Sequence, residues 1–254
     1  MKVAVIQADL VWEDKAANLS KFEDFFKSLD QEIQLVFLPE MFSTGFTMQS
    51  GLLAESMAGD TVKWMLRMAQ QYNFGLTGSI IIKENNQFYN RLLFVTPNGI
   101  EASYDKRHLF RMGREDQYYS AGKENILIDY NGFKLKPQIC YDLRFPVWNR
   151  NTQNCDVLYF VANWPERRIE HWRALLKARA IENQCYVIGV NRVGIDGNGI
   201  NHNGASAVYD ALGNCVQENI GNEGIIYANL DIEALNEYKK NFPAWKDADN
   251  FNVL

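Results

Sequence analysis

Three residues of this chain could do chemistry together, and each follows a predicted strand. Glu40 closes Phe37-Leu38-Pro39-Glu40, Lys106 follows Tyr104-Asp105, and Cys140 closes Gln138-Ile139-Cys140. A thiol attacks carbon well only with a base or a cation nearby. A cation beside a carboxylate keeps both charged in a poorly solvated pocket and can stabilise a developing oxyanion. Taken singly, the three read as a surface acid, a surface lysine and a buried thiol. Their shared position after strands favours a common site, because the ligand crevice of an open α/β sheet lies outside the carboxyl ends of its strands.

Other reactive residues compete less well. His108 and His171 could act as bases, yet a glutamate already fills that role, so structural hydrogen bonding is expected of them. Cys155, Cys185 and Cys215 fall within or beside predicted strands and read as inert small hydrophobes. Arg167 and Arg168 open a helical stretch, where positive charge is unfavourable. That cost points to a ligand carboxylate, with Arg168 as its partner and Arg167 in reserve. Trp164 reads equally as core packing or as a pocket wall.

The elements that must position these residues follow from hydrophobic periodicity. Leu19, Phe22, Phe26 and Leu29 form a helical stripe over 14–29, and Val62, Met65, Leu66 and Ala69 a second over 61–72. Ile169, Trp172, Leu176 and Ala180 mark the strongest helix, over 167–184. Pro146 suits the first turn of a short helix, and Asp231 opens a last one. Strands are predicted over 3–7, 35–38, 75–82, 88–95, 100–104, 126–130, 133–140, 157–161, 186–191, 205–209, 215–218 and 224–230. Short continuous apolar runs such as 157–161 suit strands buried on both faces. Pro137 removes a ladder donor, so an edge or a bulge is expected there. No linker, composition shift or repeat divides the chain, and one domain over 1–254 is expected.

Composition narrows the class. The 254 residues are 47% hydrophobic and 22% charged, which excludes disordered and low-complexity readings. A net charge of −5 with no basic stripe argues against a nucleic-acid partner. The longest wholly apolar run, 157–162, falls far short of the roughly 20 residues of a membrane helix. The N-terminus turns polar too early for a signal peptide, and four sparse cysteines do not make a disulfide scaffold, so a cytoplasmic enzyme is expected. The three histidines are scattered, with neither a zinc-finger spacing nor H-E-x-x-H, so no metal site is expected. Gly194 to Gly199 contains G-x-G, but His202 stands where the third glycine belongs and no helix follows, which argues against a dinucleotide site.

The sequence resembles the nitrilase superfamily of carbon–nitrogen hydrolases over nearly its whole length. Members carry a Glu–Lys–Cys triad in these contexts and this order, matching Glu40, Lys106 and Cys140. A second family glutamate, seven residues before a glycine, matches Glu115 ahead of Gly122. Val161-Ala162-Asn163-Trp164-Pro165, Arg168, His171-Trp172, Asn191-Arg192-Val193-Gly194 and the tail Phe242-Pro243-Ala244-Trp245 resemble the bacterial ω-amidase branch. The resemblance implies an α/β fold, a four-layer α-β-β-α sandwich that pairs into a homodimer through its helical outer layers. It implies hydrolysis of the terminal amide of small 2-oxo acid amides such as 2-oxoglutaramate, with no cofactor. Another amide, a carbamoyl amine or a nitrile is the rival substrate, and an inactive binding subunit the rival outside enzymes. In this reading Cys140 is the nucleophile, Glu40 carries the proton, and Lys106 with a backbone N–H near Tyr141 holds the oxyanion. Glu115 orients Lys106 or the amide, while Arg168 and Trp164 meet the substrate.

Overall fold

Alternation of side chains along buried strands decides what each sheet face must cover. A computed structural model describes residues 1–249 and 251, so residues 250 and 252–254 of the expected domain lie outside the described residues. One sheet contains β1 (Lys2–Gln7), β2 (Leu35–Phe37), β3 (Gly75–Glu84), β4 (Gln87–Thr96) and β5 (Gly99–Asp105). The other contains β6 (Ile128–Tyr130), β7 (Phe133–Ile139), β8 (Val157–Ala162), β9 (Tyr186–Asn191), β10 (Val193–Ile195), β11 (Asn201–Tyr209) and β12 (Cys215–Ile220). A final strand, β13 (Gly224–Asn229), returns to the first sheet beside β1. The spatial orders are β13-β1-β2-β3-β4-β5 and β10-β11-β9-β8-β7-β6, with β12 beside β11.

Each sheet has a parallel centre, β1-β2-β3 and β7-β8-β9, flanked by antiparallel strands. Along β8, Val157, Tyr159 and Val161 face the core between the sheets, where Val3, Val5, Leu35 and Phe37 meet them. Leu158, Phe160 and Ala162 face the other way, onto Trp172, Leu176 and Ala180 of a long helix. This two-sided burial explains the unbroken apolar run. The helices are α1 (Lys15–Lys27), α2 (Ser50–Leu53), α3 (Asp60–Tyr72), α4 (Pro146–Asn149), α5 (Ile169–Asn183) and α6 (Ile232–Asn241). Phe22 and Phe26 of α1 and Met65 and Ala69 of α3 cover the outer face of the first sheet, against Ala4, Ile6, Val36 and Leu38. The layers therefore run helix, sheet, sheet, helix. Burying an aromatic such as Phe26 contributes about 2 kcal/mol, so the stripe rather than helix propensity holds α1 in place.

Differences from the sequence expectations have local causes. Asp14 caps α1 by accepting from the Ala17 N–H at 3.0 Å, as its position suggests. The helix expected over 167–184 begins only at Ile169, because Pro165 leads into a 3₁₀ turn, Glu166–Arg168, that leaves Arg168 as its N-cap. The G-x-G segment is the turn of the β10–β11 hairpin, closed by the Asp196 N–H donating to the Ile200 carbonyl at 3.0 Å. At Pro137 the strand is a local edge without a bulge. Pairing with β6 ends at Leu135, whereas the register with β8 continues unbroken through Pro137 and Tyr159. Cys155 and Cys185 are buried, but Cys215 is exposed on β12 and is not a core hydrophobe. No helix among the described residues is long and apolar enough to cross a membrane.

Candidate active site

Strand ends bring the three reactive side chains together. The backbone leaves β2 through Leu38 and Pro39 into a tight turn, with Met41 in the left-handed region at φ 44°, and Glu40 projects from it. Lys106 follows β5 and stays in register with β4, its N–H donating to the Asn90 carbonyl at 3.0 Å. Its own carbonyl accepts from Gly122 at 2.9 Å. A Cβ at Gly122 would lie 2.1 Å from the Asp105 carbonyl oxygen, so only glycine allows this approach. The strand predicted to include Cys140 stops at Ile139. Cys140 takes a left-handed backbone, φ 45°, and starts the 3₁₀ turn Cys140–Arg144. A bulky residue is rarely held there, and the conformation presents the thiol at the turn.

The Lys106 ammonium bridges two buried carboxylates. It donates to Glu40 Oε1 at 2.8 Å and to Glu115 Oε1 at 3.0 Å, with the Phe46 ring 4.9 Å away. Burial pulls the ammonium down, but the charges of Glu115 and Glu40 outweigh it and hold Lys106 above its ordinary range. Burial pushes the Glu115 carboxyl up, against the pull of Lys106. Glu115 Oε2 also accepts from the Phe110 N–H at 2.6 Å. Glu40 Oε1 accepts from Asn90 Nδ2 and its Oε2 from the Asn163 N–H, both at 2.8 Å. Burial first, and then the charge of Glu40, pushes the Cys140 thiol well above its usual range, with Lys106 opposing. A thiol held protonated needs a base at the moment of attack, and Glu40 is the carboxylate beside it.

A cavity of about 450 Å³ opens over this cluster. Glu40, Lys106, Cys140, Tyr141, Trp164, Arg167 and Arg168 all border it. Glu115 lies behind Lys106 instead, fully buried. Trp164 serves both roles left open for it, bordering the cavity while packing on Trp172 and donating its indole N–H to the Arg168 carbonyl at 2.7 Å. Arg168 is half-buried with its guanidinium 5.4 Å from the Phe110 ring centre, whereas Arg167 is exposed. Burial lowers the Arg168 guanidinium, and the charges of Arg167 and Arg144 lower it further. His108 and His171 make the expected structural contacts, with Asp142 Oδ1 at 2.8 Å and with Arg144 at 3.1 Å.

Sequence reasoning missed several residues of the site. Arg144 borders the cavity with its guanidinium 4.7 Å from the Trp164 ring centre, and its place four residues after Cys140 was the available signal. Asn163 immediately follows β8 and would have been found by the strand-end rule applied to Glu40. Asn90 lies inside β4, where nothing in the sequence separates a site amide from any other buried polar residue. Glu13, Asp196 and His202 form part of the far wall. His202 is only 4% exposed, and burial, with Arg192 nearby, pushes its pKa down to about 4. Between about 6.5 and 4 the unfolded chain binds a proton that the native chain refuses, so stability falls as pH falls through that window. Denaturant titrations at pH 7 and pH 4.5 should show His202→Gln losing roughly 2–3 kcal/mol less than the parent over the same interval.

Strand ends bring a thiol, a lysine and a glutamate together under one cavity, and a 3₁₀ turn, Glu115–Gln117, sets a second glutamate behind the lysine, within a four-layer sandwich. The family profile described as carbon–nitrogen hydrolase matches residues 2–240, and the chain belongs to that family. It is 44% identical to omega-amidase YafV of Escherichia coli K12, over 100% of this chain and 98% of that protein. It is 32% identical to 2-oxoglutaramate amidase of Bacillus subtilis, with 96% of each chain covered. Among solved structures, XC1258 of Xanthomonas campestris, a CN-hydrolase superfamily protein with an arsenic adduct in its active site, superposes with a TM-score of 0.98. That pair is 40% identical, covering 100% of this chain and 99% of the other.

Proposed function

We propose that this protein is an ω-amidase that releases ammonia from small 2-oxo dicarboxylic acid monoamides such as 2-oxoglutaramate. The observation that carries the reading is a cavity with a thiol–lysine–glutamate cluster at its base and Arg144, Arg167 and Arg168 on its wall. The names of the relatives point the same way. Cys140 Sγ bonds to the amide carbon as Glu40 accepts the thiol proton. Lys106 and the Tyr141 backbone N–H hold the oxyanion. Collapse breaks the carbon–nitrogen bond, Glu40 returns the proton to the leaving nitrogen, and ammonia departs from a thioester. Glu40 then takes a proton from water as its oxygen attacks the thioester carbon; the carbon–sulfur bond breaks, and Glu40 returns the proton to Sγ, freeing the thiol. Glu115 keeps Lys106 aimed through its 3.0 Å contact and needs no proton transfer of its own.

The substrate's distal carboxylate adds a negative charge to a site that already holds Glu40 and Glu115. Leaving it unpaired on burial would cost several kcal/mol. Arg168 is assigned to it, with Arg167 in reserve and Arg144 beside them, since a planar guanidinium can grip both oxygens. Arg168→Ala should lower kcat/KM for 2-oxoglutaramate by roughly 3–5 kcal/mol in transition-state terms. An uncharged short amide should lose far less. Equal losses on both substrates would remove Arg168 from the clamp and leave it a structural N-cap. The reading extends to a cytoplasmic homodimer joined through the outer helices, where Ile181 of α5 is 48% exposed. Sedimentation of the purified protein tests that part.

A further inference from the structure

We propose that Asp142 is a positioning residue that fixes Cys140 and Lys106 relative to one another. The inference rests on the catalytic reading above and deepens it. Asp142 lies in the 3₁₀ turn that Cys140 begins, and its side chain is wholly buried. Its carboxylate accepts three hydrogen bonds and meets the His108 ring in a fourth contact. Oδ2 accepts from the Ile139 N–H at 3.0 Å and from the Tyr104 hydroxyl at 2.8 Å. Oδ1 accepts from the His108 N–H at 2.9 Å and faces His108 Nδ1 at 2.8 Å.

The placement of these donors carries the argument. Ile139 immediately precedes the nucleophile, on the strand end where the backbone turns into the left-handed conformation of Cys140. Tyr104 stands two residues before Lys106, and His108 two residues after it. One carboxylate therefore holds the chain on both sides of the lysine and on the entry to the cysteine, tying the end of β5 in one sheet to the end of β7 in the other. Two of the donors are backbone N–H groups, which cannot reverse their role. A carboxylate meets the Ile139 and His108 N–H groups with one oxygen each, whereas an amide of the same shape must turn its NH₂ toward one of them. The network continues outward, since Trp148 Nε1 donates to the Tyr104 hydroxyl at 3.0 Å. His108 is stacked on Phe145, ring centres 3.7 Å apart. Asp142 does not border the cavity, so it acts through Cys140 and Lys106 rather than on substrate.

Asp142→Asn tests this with the purified protein and 2-oxoglutaramate. Misplacement of reacting groups by about 1 Å costs on the order of 100-fold, so kcat should fall by about that factor. KM should stay within threefold, because Arg168, assigned to the substrate carboxylate, lies in a separate turn, Glu166–Arg168. Alkylation of Cys140 by iodoacetamide should slow in parallel with kcat. A residue that only stabilises the fold would lower the melting temperature and leave both rates intact at temperatures where the protein is native by near-ultraviolet circular dichroism. Should Asp142→Asn fail to fold, Tyr104→Phe keeps the ring and removes one donor, and a three- to tenfold drop in kcat at constant KM is expected. A folded variant with kcat within twofold of the parent, or a loss confined to KM, would overturn the proposal. An active Cys140→Ala protein would instead overturn the catalytic reading beneath it, which keeps the two failures distinct.

Discussion

Cys140→Ala should leave a folded protein whose turnover of 2-oxoglutaramate is lower by on the order of 10⁴–10⁶, the scale seen when a covalent nucleophile is removed. No other cysteine can substitute for it. Cys155 and Cys185 are buried away from the cavity, and Cys215 is exposed on β12. Alanine at each of those three should preserve turnover, with modest stability losses at the buried pair. Iodoacetamide inactivation should follow the label on Cys140 and be indifferent to label on Cys215. Normal activity in Cys140→Ala would remove the covalent mechanism altogether.

Glu40→Gln should lower turnover by about 10²–10⁴, the usual contribution of a positioned proton carrier. The amide keeps the shape of the side chain but cannot accept the thiol proton. It also turns a donor toward either the Lys106–Asn90 pair or the Asn163 N–H, all of which donate to the native carboxylate. The pH dependence carries further information. Burial is the first cause of the raised thiol and the charge of Glu40 the second, with Lys106 opposing both. Without a base, residual activity should track the thiolate fraction and climb by up to about tenfold per pH unit from neutral into alkaline solution. A variant with most of its activity and the parent's pH profile would mean that another group takes the proton.

The strand ends account for how much of this was readable from the chain. Glu40, Lys106 and Cys140 each follow a strand, and the crevice of an open α/β sheet lies outside such strand ends. Period-two alternation on β8 and the stripes of α1, α3 and α5 were legible because burial dictates residue type there. Asn90 was hidden because it sits mid-strand with its amide turned into the site, a direction that depends on the partner sheet. Arg144 and Asp142 were hidden because a 3₁₀ turn, not a strand or an α-helix, aims them, and it arises from the left-handed backbone at Cys140. The glycines of 194–199 miss the nucleotide-binding pattern because they serve the β10–β11 hairpin. Gly197 leaves room for Trp12, whose indole nitrogen would lie 2.3 Å from an added Cβ. Close approaches of that kind join residues far apart in the chain, and no local pattern encodes them.

The central claim is the substrate class, and ammonia release tests it most directly. Purified protein would be given 2-oxoglutaramate, a neutral short amide, a carbamoyl amine and a nitrile of matched chain length, with ammonia and the acid product measured together. The account predicts equal molar amounts of ammonia and 2-oxoglutarate from 2-oxoglutaramate, at the highest kcat/KM of the set. Failure to hydrolyse 2-oxoglutaramate while the nitrile or the carbamoyl amine is consumed would contradict it.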